Sequence, residues 1–271
     1  MNSDLIQIRH YGATGPKVVL LHGGPGAAGY MAPVAKRLSE HFRVIEPFQR
    51  KGDPKKPLTV ARHVADLGDV IKAYCSAEKP ILVGHSWGAM LALAYTAEHP
   101  GHAASIVLIG CGTFDAASRE QMNAVRQQRM AQHVFQRMQE RIESIDDPNE
   151  CLKLQGKLMM QVDSYHLRHV DDEVVYYDAL GHEQSWRDMM RLQQEGIYPA
   201  SFKSIGVPVL MLHGDQDPHP GPMIRNALIP HIPHLQYRPW SQCGHYPWLE
   251  KAVREEFYAF LTQWLLGGVD S

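Results

Sequence analysis

Six short runs of aliphatic and β-branched residues punctuate the chain: Val18–Leu21, Arg43–Glu46, Ile81–Val83, Ser105–Ile109, Val207–Leu212 and Leu235–Arg238. A strand with one wet face alternates apolar and polar residues. Several of these runs are apolar throughout, the pattern of a parallel sheet covered by helices on both faces. Between them Val60, Val64, Leu67, Ile71 and Tyr74 fall on one helical face, with Thr59 placed as an N-cap. Val253, Phe257, Phe260 and Trp264 repeat that spacing near the C-terminus. Strand–helix alternation of this kind predicts an α/β fold with a mostly parallel, doubly wound sheet.

The alternation lapses between about residues 113 and 200. Seven of the twelve methionines stand there, among many Gln and Arg and few β-branched runs. The segment reads as a helical insertion, either a Met-rich packing lobe or a flexible lid over an apolar pocket. The sheet core is then residues 1–112 with 201–271, and the insertion is 113–200.

With 271 residues, 44% hydrophobic and 21% charged, the composition is that of a soluble globular protein. The net charge of −2 gives no basic field for nucleic acid or anionic lipid. The longest apolar runs are far short of a membrane span, and the N-terminus has no basic-then-apolar signal pattern. Cys75, Cys111, Cys151 and Cys243 are scattered, which suits reduced thiols in a cytoplasmic protein. His166/His169 and His231/His234 lack the Cys or carboxylate companions of a zinc site, and His182-Glu-Gln-Ser-Trp186 ends in Trp where a metalloprotease needs His. No metal and no cofactor is expected.

The chemistry concentrates at Gly84-His-Ser-Trp-Gly88, which directly follows the run Ile81–Val83 and opens an apolar helical stretch, Ala89–Ala97. A chain of this composition produces G-x-S-x-G by chance about 0.08 times, so the strand–turn–helix context decides. A sharp turn there strains the serine backbone and exposes its oxygen at a helix N-terminus, above the carboxyl ends of the strands. A serine hydroxyl is a weak nucleophile until a base takes its proton. His245, in the Cys243–Trp248 loop between the last strand and last helix, lies at the same sheet edge. An acid is needed to orient that imidazole. The run Val207–Leu212 leads into His213-Gly-Asp-Gln-Asp-Pro218, which offers Asp215 and Asp217.

The order Ser86, Asp, His245 resembles that of the α/β hydrolases with a helical cap, and the resemblance covers essentially the whole chain. In that family the acid lies three residues after the glycine closing the strand, which implies Asp217, with Asp215 the alternative. The family also implies an oxyanion hole of two backbone N–H groups. One is that of Trp87, after the nucleophile. The other is that of Gly24 in His22-Gly-Gly-Pro-Gly26, because Pro25 has no N–H. His22 is then a structural loop histidine and His85 a packing residue beside the elbow.

The H-G-G-P-G loop together with G-x-S-W-G is similar to the proline iminopeptidase branch, which implies cleavage of an N-terminal proline or of a small amide or ester. The similarity is partial. His85 replaces a glycine of the branch's elbow, and its arginine- and glycine-rich loop shrinks to Gln49-Arg-Lys-Gly52. The insertion holds Glu173, Glu183 and Glu195, with Trp186 near Glu183, but no adjacent tryptophan–glutamate pair. Asp-nucleophile relatives are excluded by Ser86, whereas carbon–carbon bond hydrolases share the triad and the cap. Trp248 either lines an apolar pocket or packs in the core; Trp186 and Glu183 are the other pocket candidates. The reading is a serine hydrolase that cleaves a small, mostly apolar ester or amide through an acyl-enzyme on Ser86. Its partner is a small-molecule substrate. A low-turnover ligand receptor on the same fold is the rival.

Overall fold

The computed structural model describes residues 6–168 and 175–267. Its strands are β1 (Ile8–Tyr11), β2 (Lys17–Leu21), β3 (Ala27–Ala28), β4 (Arg43–Pro47), β5 (Ile81–His85), β6 (Ser105–Ile109), β7 (Tyr176–Tyr177), β8 (Val209–Gly214) and β9 (Leu235–Trp240). Seven of them form one sheet in the order β1-β4-β2-β5-β6-β8-β9. All neighbours in it are parallel except β1, which pairs antiparallel with β4.

Each central strand divides its apolar residues between two cores, as a period of two requires. Val19, Leu21, Leu82, Ile106, Leu108, Val209 and Met211 face one buried cluster. Val18, Leu20, Ile81, Val83, Val107, Ile109, Leu210 and Leu212 face the other. The first is covered by α2 (Val60–Tyr74), α3 (Trp87–Glu98) and α8 (Gly221–Leu228), the second by α1 (Ala32–Leu38) and α9 (Arg254–Leu265). The doubly wound sheet inferred from the apolar runs is therefore present. Thr59 caps α2 by accepting from the Arg62 N–H at 3.1 Å.

Three details differ. Strand β1 carries no apolar run; it is held by Arg9 and Tyr11, whose side chains bond the buried Glu46 of β4. Tyr74 lies at the end of α2 and is exposed, its ring lying beside His10 of the edge strand β1 rather than in the core. Strands β8 and β9 each extend two residues beyond the expected run, which carries His213 and Gly214 into the sheet.

Between β6 and β8 the chain adds α4 (Ala116–Met130), α5 (His133–Glu143), α6 (Pro148–Val162) and α7 (Ala179–Gln194). A small apolar cluster built on Ile142, Leu158 and Val162 holds α4, α5 and α6 together. Helix α7 packs Trp186, Met189 and Met190 on the first of the two sheet clusters and is also joined to the sheet layer by polar side chains. Asp178, its N-cap, accepts from Gly52 N–H at 2.6 Å, Gln184 from Leu58 N–H at 2.9 Å, and Asp188 from Val60 N–H at 2.8 Å. Ser185 bonds the His63 ring at 2.6 Å. Strand β7 pairs with β3, which ties the same end of the insertion to the 22–28 loop. The insertion is stitched down on this side by these bonds.

Candidate active site

Ser86 is the N-cap of α3 and has φ 53° and ψ −116°, a backbone region that costs a non-glycine residue ~1–3 kcal/mol. It persists because its surroundings over-determine it. The Ser86 N–H donates to Ile109 C=O at 2.9 Å. A Cβ at Gly84 would strike the Gly88 backbone, and one at Gly88 the Leu21 carbonyl, so both glycines are dictated by the close crossing of β5, α3 and β2. Residues 81–85 and 87–95 are buried, while Ser86 between them is partly exposed.

Asp217 Oδ2 stands 2.7 Å from His245 Nδ1, and both side chains are buried. Asp215, the alternative acid, is exposed, and its contact with the sheet is a backbone one to Trp240 C=O at 2.9 Å. With Nδ1–H given to the carboxylate, Nε2 is left with the lone pair that a serine proton needs. Both His245 and Ser86 abut the end of β6, since a Cβ at Gly110 would sit 2.9 Å from His245 Nδ1. Burial opposes ionisation of Asp217, but His245, His219 and His213 around it outweigh burial and hold its carboxyl well below the usual range.

The 22–26 loop meets the elbow directly. Gly23 N–H donates to Tyr30 Oη at 2.7 Å, so this donor is spent. Gly24 adopts φ +43° and is partly exposed, and Pro25 has no N–H. Trp87 occupies the first position of α3, where the N–H has no intrahelical acceptor. Gly24 and Trp87 carry the two amides that the sequence assigns to an oxyanion hole.

Tyr30, which the sequence did not mark, and His85, read as packing, are parts of a relay. Tyr30 Oη–H donates to His85 Nδ1 at 2.5 Å, and His85 Nε2–H donates to the His245 carbonyl at 3.0 Å. That chain joins the 22–26 loop, the elbow and the histidine loop. Burial drives the His85 pKa well below its usual value, so the ring stays neutral and keeps one donor and one acceptor. His22 is structural: its Nδ1 bonds Gly23 C=O, its Nε2 accepts from Gln49 N–H, and burial lowers it to about 4. Gln49 also accepts from the Trp87 indole at 2.8 Å and donates to His22 C=O at 3.0 Å.

A second strap comes from the insertion. His245 N–H donates to Asp163 C=O at 2.9 Å, and Asp163 caps the end of α6. The Asp163 carboxylate is gripped through two nitrogens by Arg126 of α4. The fully buried Glu250 accepts from Gly244, Tyr165 and His166 N–H at 2.9, 2.7 and 2.6 Å. Segment 163–168 and loop 244–251 are therefore bonded to one another at several points.

A model of the Alpha/beta hydrolase family matches residues 18–258. The chain belongs to that family. Among its relatives, a proline iminopeptidase of Lactobacillus helveticus is 25% identical over 271 residues, covering 92% of this chain and 90% of its own. Of solved structures, a thermophilic esterase from Thermogutta terrifontis superposes with a TM-score of 0.64 at 19% identity, covering 97% of this chain and 93% of that one. A proline iminopeptidase from Mycobacterium smegmatis gives 0.62 at 18%, covering 96% and 94%. At these identities the structural likeness establishes the fold.

Within this hydrolase the three pocket candidates do not gather at Ser86. Trp248 is 1% exposed, stacked on Tyr30 with its edge to His85, and is a core residue. Glu183 projects from the outer side of α7 and is paired with Arg187. Trp186 is half-buried against the larger core cluster. Glu173 lies outside the described residues. A cavity of about 650 Å³ adjoins the 22–26 loop, lined by His22 and Gly26 of that loop, by Gln49, and by Phe48, Tyr176 and Tyr177. No described helix is long and apolar enough to cross a membrane.

Proposed function

We propose that this α/β hydrolase is a serine hydrolase that cleaves a small, mostly apolar ester or amide through an acyl-enzyme on Ser86. The observation that carries the reading is the strained, partly exposed Ser86 beside the buried His245–Asp217 pair. In the proposed cycle Ser86 Oγ attacks the carbonyl carbon while His245 Nε2 takes its proton. The carbonyl oxygen, now anionic, is held by the Gly24 and Trp87 N–H groups. Collapse expels the leaving group, which receives the proton from His245, and water then repeats the sequence to release the acid. A fluorophosphonate probe is expected to label Ser86 and to fail on Ser86→Ala. Labelling at another serine would overturn the assignment. Ligand binding without an acyl burst or turnover would mark a receptor instead.

Ester cleavage is favoured over proline release by the state of the carboxylates. An aminopeptidase has to pair a substrate ammonium in a desolvated site, because a buried unpaired cation costs several kcal/mol. Glu183 is held by Arg187, Glu195 by Arg191, Asp163 by Arg126, and Glu250 by three backbone N–H groups. Short-chain nitrophenyl esters are expected to exceed proline naphthylamide in kcat/KM by at least ~10²-fold, about 2.7 kcal/mol of transition-state binding. Equal turnover of the two would restore the peptidase reading.

A further inference from the structure

Asp217 serves more than one histidine. Its Oδ2 takes His245 Nδ1–H at 2.7 Å, and its Oδ1 takes His219 Nδ1–H at 2.8 Å and His219 backbone N–H at 2.9 Å. His213 Nε2, whose shorter contact is 2.8 Å to His219 C=O, lies 3.2 Å from Oδ2. The His219 and His245 rings are stacked, 4.3 Å between centroids and 16° between planes. Donor atoms of Asp217, His219 and His245 lie within 4.8 Å of one another, a spacing a metal ion could use. The ring geometry argues otherwise. Two near-parallel imidazoles send their Nδ1 vectors side by side, each to its own carboxylate oxygen, whereas a cation needs lone pairs that converge on one point. Parallel N–H donors into a two-oxygen acceptor are instead well matched.

We propose that His219 is a positioning residue for the reaction: by occupying Asp217 Oδ1 and backing the His245 ring, it fixes the carboxylate and limits the negative charge that His245 feels. The inference rests on the Ser86–His245–Asp217 reading. An Asp217 bonded to His245 alone would offer its full charge to the imidazolium and favour its formation before substrate arrives. A second N–H on the carboxylate spreads that charge and leaves less of it to stabilise the imidazolium. His219 is suited to this because burial lowers its own pKa to about 4, so it remains a neutral donor where the enzyme works. The other charged or titratable groups around the pair are His213 from β8, His85 from β5, Tyr237 from β9, Tyr246 from the histidine loop, and Arg126 and Asp163 from the insertion. None of these bonds Oδ1.

The test separates donor from ring. His219→Phe keeps a flat ring and removes the donor; His219→Asn keeps an N–H near the Nδ1 position and removes the ring. The acidic limb of kcat/KM for a nitrophenyl ester is expected to move up by ~0.5–1 pH unit in His219→Phe and to return towards wild type in His219→Asn. Proton NMR of the unmodified enzyme is expected to show two low-field Nδ1–H signals, one of which is lost in either variant. Unmoved acidic limbs in both variants would overturn the proposal, and so, even if a variant failed to fold, would a single low-field signal in the unmodified enzyme. Asp217→Asn isolates the underlying assumption. If it retains activity the triad reading itself falls, whereas loss of activity there with no shift in His219→Phe refutes only the role of His219.

Discussion

At Ser86 the backbone takes a conformation that serine would not choose, and the cost is met by the close crossing of β5, α3 and β2, which leaves no other path. The same economy of space decides between the two aspartates. Asp217 points into the sheet edge among histidines, while Asp215, two residues away, faces solvent. If Asp217 holds the Nδ1–H tautomer of His245, Asp217→Asn presents an amide that favours the wrong tautomer, and kcat is expected to fall by about 10⁴ with the fold intact. Asp215→Asn is expected to lose less than ~3-fold, as suits an exposed side chain. Esterase rates with circular dichroism on both variants check this ranking, and its inversion would transfer the role to Asp215. These residues were legible because elbow, acid and histidine each sit in a local pattern fixed by strand ends. Tyr30, His85 as a bonded link, and Glu250 carry no such pattern. Tyr30 is 55 residues from its partner His85, and Glu250 is 85 from Tyr165, so only the folded topology unites them.

At the level of elements, the insertion grips the core along polar seams, which explains what hydrophobic periodicity could not reveal. The buried positions of α7 include Gln184 and Ser185 alongside Gly181 and Met189, so its docking face mixes polar side chains with the apolar Trp186, Met189 and Met190. Its exposed face holds Glu183 and Arg187, which a search for acidic pocket residues naturally selects. The central strands were readable for the opposite reason: each is apolar on both faces and packs into both cores. The strap at the histidine loop makes a sharper demand. Glu250→Ala would strand the buried Gly244 N–H and the part-buried N–H groups of Tyr165 and His166, all of which now bond a carboxylate. Hydrogen bonds to charged groups contribute ~1.5–3 kcal/mol each, so a loss of at least ~3 kcal/mol in unfolding free energy is expected. Because the strap fixes the backbone on either side of His245, kcat is expected to drop more than KM rises. Urea titration and ester kinetics on one preparation measure both, and a variant with unchanged kcat would show that the loop holds without it.

Over the whole molecule, the unusual feature is how many histidines are kept neutral inside. His22, His63 and His219 are each lowered to about 4 and His85 is held well below its usual value, in every case chiefly by burial. In the unfolded chain these rings titrate near their ordinary value of about 6.5. Between pH 6.5 and 4 the unfolded state therefore binds protons that the folded state refuses, and unfolding free energy must rise with pH across that window. Stability from this source is complete above about pH 6.5 and is lost as the pH falls towards 4. A gap of this size is worth up to ~3 kcal/mol per ring at the acid end, so three rings together rival the ~5–15 kcal/mol that holds an ordinary domain folded. Asp217, held well below the usual carboxylate range, adds a loss of the same sign at still lower pH. The protein is accordingly expected to keep a constant urea midpoint from about pH 8 to pH 7, to weaken steeply below pH 6, and to unfold without denaturant before pH 4. His63→Gln, which replaces one buried ring with an amide that does not titrate, is expected to flatten the slope by nearly one proton while lowering stability at pH 7 through the lost bond to Ser185. Urea midpoints taken at half-unit steps decide the matter: a flat profile from pH 7 to pH 4.5 would mean that these rings are reached by water and protonate in the folded protein.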